Sequence, residues 1–151
     1  AIKKSCEIKL SFVNKDVHEK NLRMILNFGH TFAHAIEVKN NYSKSITHGE
    51  AVLTGMVLAI KLSIIKKSCN EKPLKEIMNL YKNCGLTYTL KNTSNSKWIY
   101  SLIPFLKNDK KNEDEKINFL LLKKIGNTAM PNKFKMSIKE LKKNCKTIAQ
   151  Y

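Results

Sequence analysis

Three of the four histidines lie within nineteen residues, the densest group of metal-binding side chains in the sequence. His30 and His34 are four residues apart, so on a helix they share a face about one turn from each other. His48 stands just before Gly49 and a long apolar run, at the end of a loop that can fold back over the first two. Imidazole nitrogens that converge on one point suit Zn²⁺ and similar cations. The spacing therefore points to a metal site, although such pairs are often only solvated or bonded to the backbone.

Other metal chemistries are disfavoured by the neighbouring residues. Thr31 follows His30 where the HExxH protease motif has a glutamate, so a metalloprotease would lack its base. The four cysteines are far apart, with no CxxC pair that would indicate a zinc ribbon. They are Cys6, Cys69, Cys84 and Cys145. We expect reduced thiols in a cytosolic protein.

Arg23 is the single arginine among 28 basic residues. All the remaining basic residues are lysines, so a lone guanidinium indicates a position that lysine would serve poorly. Planar, bidentate recognition of a carboxylate or phosphate is the usual reason. Chance or a structural ion pair would explain the same observation.

The residues around the histidines resemble a known family. The segment LRMILNFGHTFAHAIE at 22–37 is similar to the LRxxLNxGHTxGHAIE motif of the 3-dehydroquinate synthases, and HGEAVLTGM at 48–56 is similar to their HGEAVxxGM motif. Weaker similarity covers SCEIK at 5–9, the acidic residues Asp16 and Glu19, and the stretch Asp109-Lys110-Lys111 with the hairpin after it. Ala33 replaces the second glycine of the first motif, and its methyl group could crowd a close helix approach.

The resemblance implies roles for individual residues. His30 and His48 match the two histidine ligands of a catalytic zinc, whose third ligand is a glutamate in an N-terminal domain outside this chain. His34 matches a histidine near the phosphate end of the substrate, suited to proton handling. Glu19 and Lys9 are expected to take part in catalysis as well.

The remaining positions match substrate-binding groups. Arg23, Asn27 and Lys9 are implied to hold the carboxylate, phosphate and hydroxyls of the substrate, and Lys110 is a further pocket residue, with Lys111 as the alternative. The implied reaction converts 3-deoxy-D-arabino-heptulosonate 7-phosphate to 3-dehydroquinate and phosphate in the shikimate pathway. It requires a divalent metal, Zn²⁺ or Co²⁺, and NAD.

NAD binding is expected outside these 151 residues. The sequence has no GxGxxG loop and no alternating strand–helix pattern for a dinucleotide. The resemblance places that machinery in an N-terminal α/β domain. We therefore expect a chain that is inactive alone and belongs to a cytoplasmic enzyme, homodimeric at full length, with no nucleic-acid or membrane partner.

Competing functions stay open at this point. Another sugar-phosphate cyclase, such as a 2-deoxy-scyllo-inosose or aminodehydroquinate synthase, would share the metal motif, although Arg23, Asn27 and Lys9 favour an acidic heptulosonate. The net charge of +16 allows a nucleic-acid-binding helical module, but the lysines are spread along the whole chain rather than clustered. A parent protein that kept the fold and lost catalysis is a third alternative.

The elements that must position these residues are predicted to be helices. Hydrophobic residues make up 42% of the chain and charged residues 26%, as in a single folded domain over 1–151. The patterns predict a helix from Asp16 that ends at Gly29, although residues 5–14 allow a strand or a helical turn. Further helices are predicted over 31–38, 49–67, 73–84, 97–106 and 138–149. One β-hairpin is predicted over 117–130, turning at Gly126. The fold class is therefore mainly α.

No uninterrupted apolar run reaches the length of a membrane span. The most apolar stretch, 51–65, is broken by Thr54, Gly55, Lys61 and Ser63, and predicts a buried helix.

Overall fold

The chain folds mainly into helices, as predicted. The computed structural model describes residues 2–20, 22–86, 90–106 and 116–151. Its helices are α1 (Ile2–Val13), a 3₁₀ helix (Arg23–Asn27), α2 (His30–Lys39), α3 (His48–Ile65), α4 (Lys72–Asn83), α5 (Ser96–Tyr100), α6 (Ile103–Leu106) and α7 (Ile138–Gln150). The strands are β1 (Lys116–Asn118), β2 (Leu122–Lys124), β3 (Asn127–Thr128) and β4 (Lys135–Ser137).

Helix α3 is the central helix of the core. It begins with a capping box, in which the Thr47 hydroxyl accepts the Glu50 amide hydrogen while the Glu50 carboxylate accepts the Thr47 amide hydrogen. By length and composition this helix alone, among the described residues, could cross a membrane, but 61% of it is buried inside the fold. Its buried residues include Lys61, whose ammonium donates to the Thr93 carbonyl at 2.7 Å. This packing identifies α3 as the core helix predicted from the sequence.

Helix α2 crosses α3 at a contact between two glycines. Gly29, the residue before α2, has a φ of 85°, which is open to glycine at little cost. A Cβ atom on Gly55 of α3 would collide with the Gly29 carbonyl oxygen and lie 3.0 Å from the Ala33 nitrogen. Ala33 is fully buried at this crossing. The alanine therefore fits beside Gly55, where its methyl group was expected to be a source of crowding.

The predicted helix over 97–106 is two short helices, α5 and α6. Pro104 is the second residue of α6 and has no amide hydrogen to donate to the Tyr100 carbonyl, so a continuous helix would lose a hydrogen bond there. The Ser101 hydroxyl instead donates to the Trp98 carbonyl at the break. Both pieces contribute to the core, through Ile99, Ile103 and Leu106.

The predicted hairpin over 117–130 is only partly right. Strands β2 and β3 form a short antiparallel hairpin around Gly126, but β1 pairs with β4. The apolar run over 117–122 changes partner within itself, because the Phe119 amide bonds the Phe134 carbonyl whereas the Leu121 carbonyl accepts from Ala129. A single strand would alternate buried and exposed side chains, and this alternation ends at Leu121 and Leu122, which are both buried. The single strand that was expected ends there as well.

The helix predicted from Asp16 was wrong in its type and its start. The apolar residues after Asn21 form the 3₁₀ helix Arg23–Asn27. The Asp16 carboxylate accepts the amide hydrogens of Lys20 and Arg23, both at 3.0 Å, and so holds the turn before that helix. Residues 2–13 are α-helical, which decides between the two alternatives left open for that segment.

Candidate functional site

The three histidines at 30, 34 and 48 meet at one place. The ring centroid of His30 lies 5.8 Å from that of His34 and 5.6 Å from that of His48, and the other two rings are 6.4 Å apart. His30 and His34 lie on α2 and His48 is the first residue of α3, so the crossing at Gly55 sets their separation. The juxtaposition predicted from the spacing is present.

Glu37 lies between two of these histidines. One carboxylate oxygen is 2.9 Å from the Nδ1 atom of His48 and the other is 3.3 Å from the Nδ1 atom of His34. Its side chain is 14% exposed, whereas those of His34 and His48 are 64% and 59% exposed. In the sequence, Glu37 stands out only as the last residue of the first histidine motif. Its place three residues after His34 was the one signal of its position, since such residues face each other on a helix.

His30 is the most enclosed of the three imidazoles. Burial lowers its pKa below the usual value for histidine; the backbone at Phe28 opposes this, and the His34 and His48 rings add to the lowering. Its Nδ1 atom is buried and has no hydrogen-bond partner among the described residues. A neutral imidazole has a lone pair on one of its two ring nitrogens and can bind a cation through it.

A cavity of about 440 Å³ opens beside His30. The residues that line it come from α1, the turn before the 3₁₀ helix, that helix itself and the start of α2. They are Ser5, Ile8, Lys9, Glu19, Arg23, Leu26, Asn27 and His30. Four residues predicted to bind substrate or assist catalysis therefore share one cavity with a predicted metal ligand. His34 and His48 do not line it.

Glu19 arranges two of these groups. Its carboxylate accepts a hydrogen bond from the Asn27 amide nitrogen at 2.5 Å and lies 3.5 Å from the Nε atom of Arg23. The guanidinium of Arg23 also donates to the Val17 carbonyl at 3.0 Å. Glu19 has a φ of 52°, an uncommon conformation for a residue with a side chain. The backbone is held in this turn with the carboxylate between Arg23 and Asn27.

The charges in the cavity favour an anion. Lys9 and Arg23 contribute two positive charges and Glu19 one negative charge, so the charged side chains that line it sum to one positive charge. Its volume lies within the range of small-molecule sites. Lys110 lies outside the described residues.

No three His, Cys, Asp or Glu side chains within 2–20, 22–86, 90–106 and 116–151 form a complete metal site. The geometry does bring His30 and His48 together, with a carboxylate behind the second. Two imidazoles are a donor set suited to Zn²⁺ or Co²⁺, and a third ligand must come from elsewhere.

Comparisons with known proteins agree with these features. A family model described as "3-dehydroquinate synthase C-terminal" matches residues 1–112. A 3-dehydroquinate synthase of Pelagibacter ubique is 40% identical over 132 residues, covering 83% of this chain and 34% of the relative. One from Endomicrobium trichonymphae is 44% identical over 126 residues, covering 83% and 33%. The chain thus spans about a third of the length of these curated relatives.

Two solved structures of 2-deoxy-scyllo-inosose synthase share the fold. One, a complex with carbaglucose-6-phosphate, NAD⁺ and Co²⁺, has a TM-score of 0.71 and 25% identity, over 91% of this chain and 38% of that chain. The other has a TM-score of 0.69 and 26% identity, over 94% and 36%. The matched family model covers both histidine motifs and all the described residues around the cavity, and on that ground this chain belongs to the 3-dehydroquinate synthase family.

Proposed function

We propose that this chain is the metal- and substrate-binding part of a 3-dehydroquinate synthase, which converts 3-deoxy-D-arabino-heptulosonate 7-phosphate to 3-dehydroquinate and phosphate. The observation that carries the proposal is the shared cavity, in which Lys9, Arg23 and Asn27 lie beside His30. The curated relatives that are 40–45% identical to this chain carry that enzyme's name. The enzyme would be cytoplasmic and homodimeric.

His30 and His48 would hold the metal, Zn²⁺ or Co²⁺. The two ring centroids lie 5.6 Å apart on adjacent helices, and burial lowers the pKa of His30, which favours the neutral form that binds a metal. When bound, the metal would polarise the substrate hydroxyls and stabilise negative charge on the oxygen at the carbon that is oxidised. The third protein ligand would come from residues beyond these 151.

Arg23 and Lys9 would bind the anionic groups of the substrate. The substrate has a carboxylate at one end and a phosphate at the other, and charge-assisted hydrogen bonds to both fix its orientation. Glu19 keeps the Arg23 guanidinium and the Asn27 amide in place, because it contacts both. His34 does not line the cavity, but its ring centroid lies 5.8 Å from that of His30, and from there it would exchange a proton with the substrate near its phosphate end.

The described residues do not fit NAD. Their sheets are two antiparallel pairs, and none of the five glycines forms a GxGxxG loop after a strand. These residues alone would therefore not hold NAD. Its binding would fall to the remaining two thirds of a protein as long as the curated relatives.

The test is phosphate release by the whole protein that contains this chain. With 3-deoxy-D-arabino-heptulosonate 7-phosphate, NAD⁺ and Zn²⁺ or Co²⁺, we expect turnover, and we expect no turnover from the 151-residue chain alone. His30→Ala and His48→Ala should each abolish turnover and metal retention, while Glu76→Ala, an exposed change on α4, should alter neither. Turnover by the isolated chain would contradict the proposal that NAD and the third metal ligand are bound by residues beyond these 151.

Substrate competition distinguishes this enzyme from its structural relatives. Glucose 6-phosphate lacks a carboxylate, so a cavity built for the acidic heptulosonate should turn it over poorly. Efficient release of phosphate from glucose 6-phosphate, with none from the heptulosonate, would instead favour an inosose synthase.

A further inference from the structure

We propose that Glu37 is a positioning residue that fixes the tautomer and orientation of His48. The inference rests on the proposed function, because it concerns an imidazole of the proposed metal pair. Glu37 lies on α2 and His48 begins α3, so the contact joins the two helices across the loop between them. None of the roles derived above uses this carboxylate.

The hydrogen bond decides which nitrogen of His48 is free. The Nδ1 atom of His48 lies 2.9 Å from a carboxylate oxygen of Glu37. An ionised carboxylate only accepts hydrogen bonds, so the nitrogen that faces it must carry the hydrogen. A neutral His48 then has its lone pair on Nε2, on the ring edge away from Glu37. Free histidine in water favours the opposite tautomer, so the carboxylate makes a choice that the ring alone would not.

Burial gives this contact its strength. The Glu37 side chain is 14% exposed, so water competes for the carboxylate far less than it would on an open surface. The other carboxylate oxygen, 3.3 Å from the Nδ1 atom of His34, also faces an imidazole nitrogen. A carboxylate behind a metal-binding histidine is a recurring means of orienting the ring and raising its basicity.

The start of α3 is fixed independently of Glu37. The Thr47–Glu50 capping box sets the first turn of the helix, and with it the backbone of His48. The proposed role of Glu37 is therefore limited to the His48 ring: its rotation and the nitrogen that carries its hydrogen. The proposal can therefore be separated from a purely structural role.

The test compares Glu37→Gln with Glu37→Asp in the ¹⁵N-labelled 151-residue chain. The Gln side chain loses the charge but keeps an acceptor oxygen at the same reach, whereas the Asp side chain keeps the charge and is one methylene too short. Long-range ¹H–¹⁵N spectra at about pH 8, above the ordinary imidazole pKa of about 6.5, report the protonated nitrogen of each ring without metal. We expect Nδ1–H on His48 in the unsubstituted chain and in Glu37→Gln, and a shift toward Nε2–H in Glu37→Asp.

Cobalt titration supplies the second measurement. Glu37→Asp should lower the affinity for Co²⁺ about 10- to 100-fold, the usual effect of losing such a partner. Glu37→Gln should lower it less than about tenfold, and the control Glu76→Ala should leave it unchanged. Unchanged melting temperatures of the variants would confirm that they are folded.

The two hypotheses fail separately. Nε2–H on His48 in the unsubstituted chain, or equal losses in Glu37→Gln and Glu37→Asp, would overturn the role of Glu37 whatever the enzyme does. If the unsubstituted chain and the whole protein both fail to take up cobalt, the proposed metal site fails, while the spectra still decide the tautomer.

Discussion

At the scale of single residues, acidic side chains organise the basic and aromatic ones. Glu19 contacts Arg23 and Asn27, and Glu37 contacts His34 and His48. The chain has 28 basic and 12 acidic residues, and each of these two carboxylates contacts two partner side chains. Removing one such carboxylate therefore releases two groups at once.

The guanidinium of Arg23 should be irreplaceable by lysine. It donates to Val17 through one nitrogen while another faces Glu19, and a lysine ammonium cannot reproduce this planar arrangement. Arg23→Lys in the whole protein should lower kcat/KM for phosphate release about 10- to 100-fold, as expected for charged hydrogen bonds of about 1.5–3 kcal/mol. Lys82→Arg on α4 is the control and should leave kcat/KM unchanged. Equal kcat/KM in Arg23→Lys would show that only the charge at this position matters.

At the scale of elements, the crossing of α2 and α3 determines the histidine cluster. His30 and His34 belong to one helix and His48 to the other, so a larger distance between the crossing helices moves the rings apart. The close approach depends on Gly29 and Gly55, whose backbones touch where side chains would collide.

A methyl group at Gly55 should therefore damage both stability and metal binding. Gly55→Ala places a Cβ against the Gly29 carbonyl and should cost about 1–3 kcal/mol of unfolding free energy, the usual range for an overpacked core. Cobalt affinity should fall with it. Gly49→Ala, where a Cβ meets nothing within 4 Å, is the matched control and should be neutral or slightly stabilising in urea denaturation. A neutral Gly55→Ala would show that the helices can separate freely.

The buried Lys61 should make the stability depend on pH. Burial lowers its pKa from 10.5 to about 8, because the charged form loses its hydration. Between these values the unfolded chain binds the proton and the folded chain does not, so the free energy of unfolding rises with pH from about 8 to 10.5. The full rise over this interval is about 3 kcal/mol.

Lys61→Met isolates this effect from the other titrating groups. The difference in unfolding free energy between the natural chain and Lys61→Met should change by about 3 kcal/mol over that interval, in favour of the natural chain at high pH. Urea denaturation at several pH values measures it. A difference that stays constant would show that Lys61 keeps its charge when folded.

Much of this arrangement was predictable from the sequence, for physical reasons. The histidine spacing and the glycine before α2 are local signals, and local signals gave α2, α3, α4 and α7 to within a residue or two. The 3₁₀ helix and the β1–β4 pair were missed, because they depend on the Asp16 carboxylate and on distant strand partners. The contact of Glu37 with His48 spans eleven residues and a loop, which spacing alone does not predict.

At the scale of the whole molecule, the thiols report on the integrity of the core. All four cysteines are free; Cys6 and Cys84 are exposed, whereas Cys145 is buried in α7. Burial raises the pKa of Cys145 to about 11, so almost no thiolate forms at neutral pH.

Thiol labelling at neutral pH should therefore be sharply divided. Cys6 and Cys84 should react with a disulfide reagent within minutes, and Cys145 only as fast as the chain unfolds, as measured by mass spectrometry of the labelled peptides. Cys145→Ala removes the slow site and serves as the control. Fast labelling of Cys145 in the folded chain would mean that α7 detaches readily.

Helix α1 carries Lys9 into the cavity without burying a single residue of its own. At twelve residues it is near the lower limit for a helix that holds itself together in water. We therefore expect this wall of the cavity to depend on how far α1 is formed, and the apparent affinity for a ligand there to be the intrinsic affinity scaled by the formed fraction. A ligand or a covering surface against the exposed Ile8 and Leu10 should stabilise α1 and raise the affinity of the cavity for its ligand by the same factor.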